Sequence, residues 1–160
     1  MAEFGRCFCL ISVLVPLLWA MSTLAGAADY QGGVSAQVLK KTTLTGNGQK
    51  IIYPATDKAE VTAMLVEVAP GAETGWHSHP IPVYAYVVAG NLDVELKGGQ
   101  NITYHTGDVI IEVHNALHNG KNRGREKVRL VVFYTGIEGV PNVIKPDQPQ
   151  SSLTSGEVLR

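Results

Sequence analysis

The chain has 160 residues, 45% hydrophobic and 17% charged, with 13 Lys and Arg against 14 Asp and Glu and a formal net charge of −1. That balance, without any clustered basic stretch, argues against a nucleic-acid surface or a polybasic membrane footprint and leaves a small molecule or another protein as the partner. The two cysteines, Cys7 and Cys9, stand at the extreme start; the rest of the chain has no thiol, so a metal bound there takes nitrogen or oxygen donors.

Residues 1–27 read as a secretory signal peptide. Arg6 precedes the 15-residue apolar run CFCLISVLVPLLWAM, and STLAGAA follows with Ala25 and Ala27 in an A-x-A arrangement. The run falls short of the roughly 18–20 apolar residues that span a bilayer. Cleavage after Ala27 predicts an exported protein, periplasmic or secreted, with no membrane attachment once the signal is removed. The 133 residues that remain are the size of one domain with a core.

Residues 28–37 form a polar lead-in. Segments rich in β-branched and aromatic residues then recur: VLKKTTLT (38–45), VTAMLVEVA (61–69), VYAYVV (83–88), LDVELK (92–97), NITYH (101–105), VIIEV (109–113) and KVRLVVFYT (127–135). Turns such as GNGQ, PGAETG, KGGQ and TGD separate them. Short strands punctuated by Gly and Asn predict an all-β sandwich or barrel, here a single domain over 38–139. LDVELKGGQNITYH reads as a hairpin closed at Gly98–Gly99. No long 3.6-residue apolar period marks a helix. Residues 140–160, rich in Pro, Ser and Gln, predict an irregular C-terminal tail.

The chemistry concentrates in GWHSHPIPVYAYVVAG, residues 75–90. On an extended segment, period-two alternation puts His77 and His79 on one face, where two imidazoles begin a site for a transition metal. Pro80 and Pro82 remove two backbone donors, which predicts a barrel edge or mouth there. A second cluster, GDVIIEVHNALHNGKN (107–122), carries His118 after a further strand.

Together the two clusters resemble the paired motifs of the cupin superfamily. The first is written G-x5-H-x-H-x3,4-E-x6-G, and Gly71, His77, His79 and Gly90 fit it. The second is G-x5-P-x-G-x2-H-x3-N; Gly107, His118 and Asn122 fit, whereas Val113 and Asn115 replace the proline and the glycine. The likeness covers roughly residues 60–136. It implies a small cupin-type jelly-roll β-barrel with ligands at its mouth and, through pairing of sheets, a homodimer. Carried over residue by residue, it implies that His77, His79 and His118 bind one divalent transition metal, whether Fe, Zn, Ni, Cu or Mn.

The departure lies at the first-motif glutamate. Its slot falls on Val83, or at the looser spacing on Tyr84. Neither is a carboxylate, and Glu112 and Glu95 on neighbouring strands are the candidate substitutes. Three neutral donors leave the charge of a divalent cation uncompensated, which favours a small anionic substrate. Thiol dioxygenases of the superfamily resemble this pattern, with three histidines on Fe(II). Two functions follow: a metal-dependent enzyme, foremost an oxygenase and otherwise an isomerase or lyase, or a non-catalytic module that binds a small molecule or a metal. A site that has lost its metal and kept a polar pocket belongs to the second.

The remaining candidates have bland readings as well as sharp ones. His105 and His114 read as surface or supporting histidines; Trp76, Tyr84 and Tyr86 as packing or as substrate-lining groups. Arg123 and Arg125 read as a solvated turn or as an anchor for a carboxylate. Asn122 or a nearby backbone carbonyl could take the second ring nitrogen of a ligand histidine.

Overall fold

The computed structural model describes residues 32–146; the expected signal peptide and residues 147–160 of the expected tail lie outside the described residues. Among the described residues the regular structure is all strand: β1 (Ala59–Val68), β2 (Val83–Ala89), β3 (Leu92–Leu96), β4 (Asn101–Tyr104), β5 (Val109–Ile111), β6 (His118–Lys121) and β7 (Val128–Ile137). No helix long and apolar enough to cross a membrane occurs among them.

The strands form two antiparallel sheets, β1-β7-β2-β5 and β4-β3-β6. The all-β expectation is met. β1 and β7 pair from Ala59↔Ile137 to Val68↔Val128, and β3 and β4 form the expected hairpin, with Leu96 N donating to Gln100 O at 2.8 Å.

The core lies between the sheets and follows from alternation along each strand. Val83, Ala85 and Val87 of β2 and Val128, Leu130, Val132 and Tyr134 of β7 face inward; Leu92, Val94, Leu96 and Tyr104 meet them from the other sheet. Val87 and Val128 are fully buried, each worth roughly 1.5–3 kcal/mol of apolar transfer. The intervening residues Tyr84, Tyr86 and Val88 lie on the outer face of the same strand.

Two sequence expectations are corrected. Residues 38–45 form no strand; a single bridge, Leu44↔Lys50, is all the pairing they make. Val38 and Leu39 are more than half exposed, so their apolar side chains have no sheet to enter. Conversely, β6 was not foreseen, because HNGK consists of turn-forming residues. Its strand state comes from tertiary pairing. β3 lies on one side of it, from Asp93↔Lys121 to Leu96↔His118. The extended segment 73–77 lies on the other, with Thr74 N donating to Gly120 O at 2.9 Å.

The closing glycine of the first motif has a local reason. Gly90 adopts φ 81°, and a Cβ would meet Lys127 O at 3.0 Å and Val128 Cα at 3.1 Å. Past Gly139, Val140 and Val143 pack on the core and Ile144 bridges Ser78, so residues 140–144 are part of the barrel wall.

Asn122 clamps the turn before β7. It is 2% exposed, donates through Nδ2 to Val68 O (2.9 Å) and Glu126 O (2.7 Å), and accepts from Gly124 N (2.9 Å). Asn122→Ala would leave the buried Val68 O unpaired, at a cost on the order of 1–3 kcal/mol, and would break two further bonds, to Glu126 O and from Gly124 N, whose residues are exposed. We predict a loss of about 2–4 kcal/mol in urea unfolding for Asn122→Ala. Arg123→Ala, which removes only exposed ion pairs to Asp93 and Glu95, should cost under about 1 kcal/mol.

Candidate metal centre

The two histidine clusters meet through the backbone. His77 and His118 exchange both of their hydrogen bonds, N to O at 2.9 Å each way, the closely bonded pair of an antiparallel ladder. His79 bridges His114 on the adjoining segment, whose Asn115 N donates to His79 O at 2.9 Å. Residues 77–79 are thus extended, as the H-x-H reading requires, and both imidazoles fall beside that of His118. Ring centroids lie 4.9 Å apart for His77 and His79, 4.3 Å for His77 and His118, and 5.0 Å for His79 and His118.

Every ring is held by a main-chain carbonyl. Nδ1 of His77 lies 2.8 Å from Gly75 O, Nδ1 of His79 2.8 Å from Asn142 O, and Nδ1 of His118 2.9 Å from Ala116 O. A carbonyl only accepts, so each Nδ1 carries the proton and each Nε2 keeps its lone pair. One coordinating atom from each of the three histidines lies within 4.8 Å of the other two. His79 and His118 are 3% and 2% exposed, and His118 Nε2 is buried without a hydrogen-bond partner. An unpaired buried nitrogen is costly. The three histidines are positioned to bind a metal.

Burial also fixes their charge. It lowers the pKa of His77 and of His118, and pushes that of His79 down to about 3. All three are neutral at pH 7, the state a cation requires.

Of the candidate substitute acids, Glu112 reaches His118. It follows β5, whose Ile110 points into the core, and alternation turns its side chain inward. Its Oε2 lies 3.6 Å from His118 Nε2, and the side chain is 14% exposed. Burial pushes its pKa up to about 7, partly opposed by His77. Glu95 instead faces away from the core and pairs with Lys121 and Arg123. Tyr84 sits on the outer face of β2, its hydroxyl without a partner and its pKa pushed up to about 12 by burial.

The other sequence candidates fall outside the cluster. His105 is exposed, with Nδ1 3.0 Å from Asn91 Oδ1; His114 Nε2 accepts from Asn115 Nδ2 at 2.8 Å. Asn122 serves the fold. Trp76 is 41% exposed on a groove shared with Glu95 and residues 96–101. Sequence reasoning missed Asn142, whose carbonyl comes from 63 residues beyond His79 and leaves no local signal. Asn115 is informative in retrospect. It stands where the second motif has glycine, and its φ of 50° is the one positive value among the described non-glycine residues; asparagine tolerates that region better than most residues.

The family model for the cupin domain matches residues 64–134. The chain belongs to the cupin superfamily. A curated relative, (R)-mandelonitrile lyase from Granulicella tundricola, is 37% identical over 59 residues, 37% of this chain and 45% of that protein. The match therefore spans less than half of that relative's length. Among solved structures, the oxalate decarboxylase formate complex of Lactobacillus farciminis aligns with a TM-score of 0.47 and 23% identity, over 54% of this chain and 26% of that one. A cupin domain from Schizosaccharomyces pombe aligns with a TM-score of 0.45 and 21% identity, over 54% and 63% of the two chains.

In this cupin the buried groups pull stability in opposite directions with pH. His79 is depressed from 6.5 to about 3, so its contribution is complete above about 6.5 and is lost as the pH falls toward 3. Glu112 is raised from 4.5 to about 7, so its contribution is complete below about 4.5 and is lost as the pH rises through 7. For metal-free protein, Glu112→Gln should therefore raise unfolding stability at pH 8 by about 1–3 kcal/mol. The gain should fade toward zero by pH 4.5. A gain independent of pH would contradict the burial of an ionisable Glu112.

Proposed function

We propose that this chain is an exported metal-dependent cupin enzyme in which His77, His79 and His118 hold one divalent transition metal. The observation that carries the reading is the set of three Nε2 lone pairs, each freed by an Nδ1–carbonyl bond, on histidines whose coordinating atoms lie within 4.8 Å of one another. Imidazole suits Fe, Zn, Ni and Cu alike, so the donor set does not choose among them, while Mn prefers oxygen donors.

A metal bound there supplies a Lewis acid for an oxygen-bearing ligand. The chain itself supplies orientation and exclusion of water. The carbonyls of Gly75, Ala116 and Asn142 fix the rings, and Tyr134 of β7, itself part of the core, packs edge-on to His79 at 5.7 Å.

The 37% identity to (R)-mandelonitrile lyase supports a lyase acting on a small hydroxylated molecule. The second reading is oxygenase chemistry on a small anion, favoured by three neutral donors that leave positions open for two ligands. A non-catalytic module is the outcome if neither activity appears. Wild-type protein should carry about one metal per chain by elemental analysis, and His118→Ala should weaken binding at least 100-fold, beyond the roughly 10–100-fold typical for loss of a supporting group. Release of aldehyde from a cyanohydrin would support the lyase and metal-dependent O2 uptake the oxygenase. Metal-free wild-type protein would sink both.

Export and pairing are proposals of the same standing. The A-x-A site supports a mature N-terminus at Ala28. Pairing is supported by the outer face of the β1-β7-β2-β5 sheet, where Val61, Leu65, Tyr86, Val88 and Phe133 are 38–65% exposed. Mass spectrometry of native protein should find the chain starting at Ala28, and sedimentation should find twice the chain mass; a start at Met1 or a monomer at micromolar concentration would reject the respective proposal.

A further inference from the structure

We infer that Glu112 supplies the carboxylate that the first motif of this cupin lacks, delivered from the neighbouring strand instead of from β2. The inference rests on the three-histidine metal site proposed above and names its fourth protein group.

The vacated slot and Glu112 are adjacent. Val83, 2% exposed, points into the barrel from the start of β2. Glu112 N donates to Val83 O at 3.0 Å, so the two residues stand side by side on paired segments with both side chains inward. A carboxylate attached at 112 enters the same mouth as one attached at 83 would. Its Oε2 lies 3.6 Å from His118 Nε2, beside the group formed by the three imidazoles.

Its surroundings ask for a cation. Among the described residues Glu112 makes no ion pair with Lys or Arg and no side-chain hydrogen bond; the titratable group within 4 Å of it is His118, neutral at pH 7. A carboxylate in that state carries a desolvation cost that no cationic side chain offsets. Three imidazoles and a divalent cation give a site of charge +2, and Glu112 brings it to +1. The sequence favoured a small anion because it saw three neutral donors alone. With Glu112 included, the centre suits a neutral ligand with a hydroxyl to donate, for which the carboxylate is an acceptor, and it discriminates against dianions.

The test is uptake of Co(II), followed by its visible spectrum under competition with a chelator, in full-length mature protein. Glu112→Gln should raise the Kd for Co(II) at least about tenfold, while Glu95→Gln should leave it unchanged. Glu112→Asp, which keeps the charge on a shorter stem, should lose less affinity than Glu112→Gln. The Co(II)-loaded Gln variant should also bind azide more tightly than wild type. If wild type takes up no Co(II), the metal reading and this one fall together. If wild type binds Co(II) and Glu112→Gln binds it equally well, only the assignment of Glu112 falls. Equal losses in the Asp and Gln variants would make the effect steric and would also overturn it.

Discussion

The reciprocal backbone pair between His77 and His118 is the interaction on which the site depends. Two hydrogen bonds of 2.9 Å join residues 41 positions apart and set their side chains next to each other. The same pairing makes a strand of residues 118–121, whose composition would otherwise favour a turn, and carries the edge of the β4-β3-β6 sheet across to segment 73–79. Period-two alternation then adds His79, and the carbonyls of Gly75, Ala116 and Asn142 lock the rings. No side chain is needed to orient the histidines. Their geometry is as rigid as the main chain that holds it.

That economy creates an electrostatic tension. Three neutral imidazoles and an inward carboxylate share a poorly solvated mouth, and burial disfavours the charged form of each. Without a cation, the protein keeps Glu112 partly protonated near neutral pH. A divalent cation reverses the preference, because ionised Glu112 then has a partner. The arrangement is costly as a purely structural core and favourable as a site.

Much of this was legible in the sequence. The all-β class followed from short β-branched runs between Gly and Asn turns, and the three histidines followed from motif spacing around Gly71, Gly90 and Gly107. What escaped depends on tertiary context. β6 was hidden because HNGK is turn-like by propensity and becomes a strand only between β3 and Thr74. Residues 38–45 have strand composition but no sheet to join. Asn142 contributes through a carbonyl, which every residue has. Glu112 could be named but not oriented, since the sequence fixes neither the end of β5 nor the phase of its alternation relative to Val83.

The central claim is that the imidazoles of His77, His79 and His118 converge on a single metal through Nε2. X-ray absorption at the edge of the bound metal tests it most directly. The account predicts a first shell of nitrogen and oxygen donors in which three imidazole rings contribute their outer-shell scattering. A shell with no imidazole scattering, or with one ring only, would contradict it.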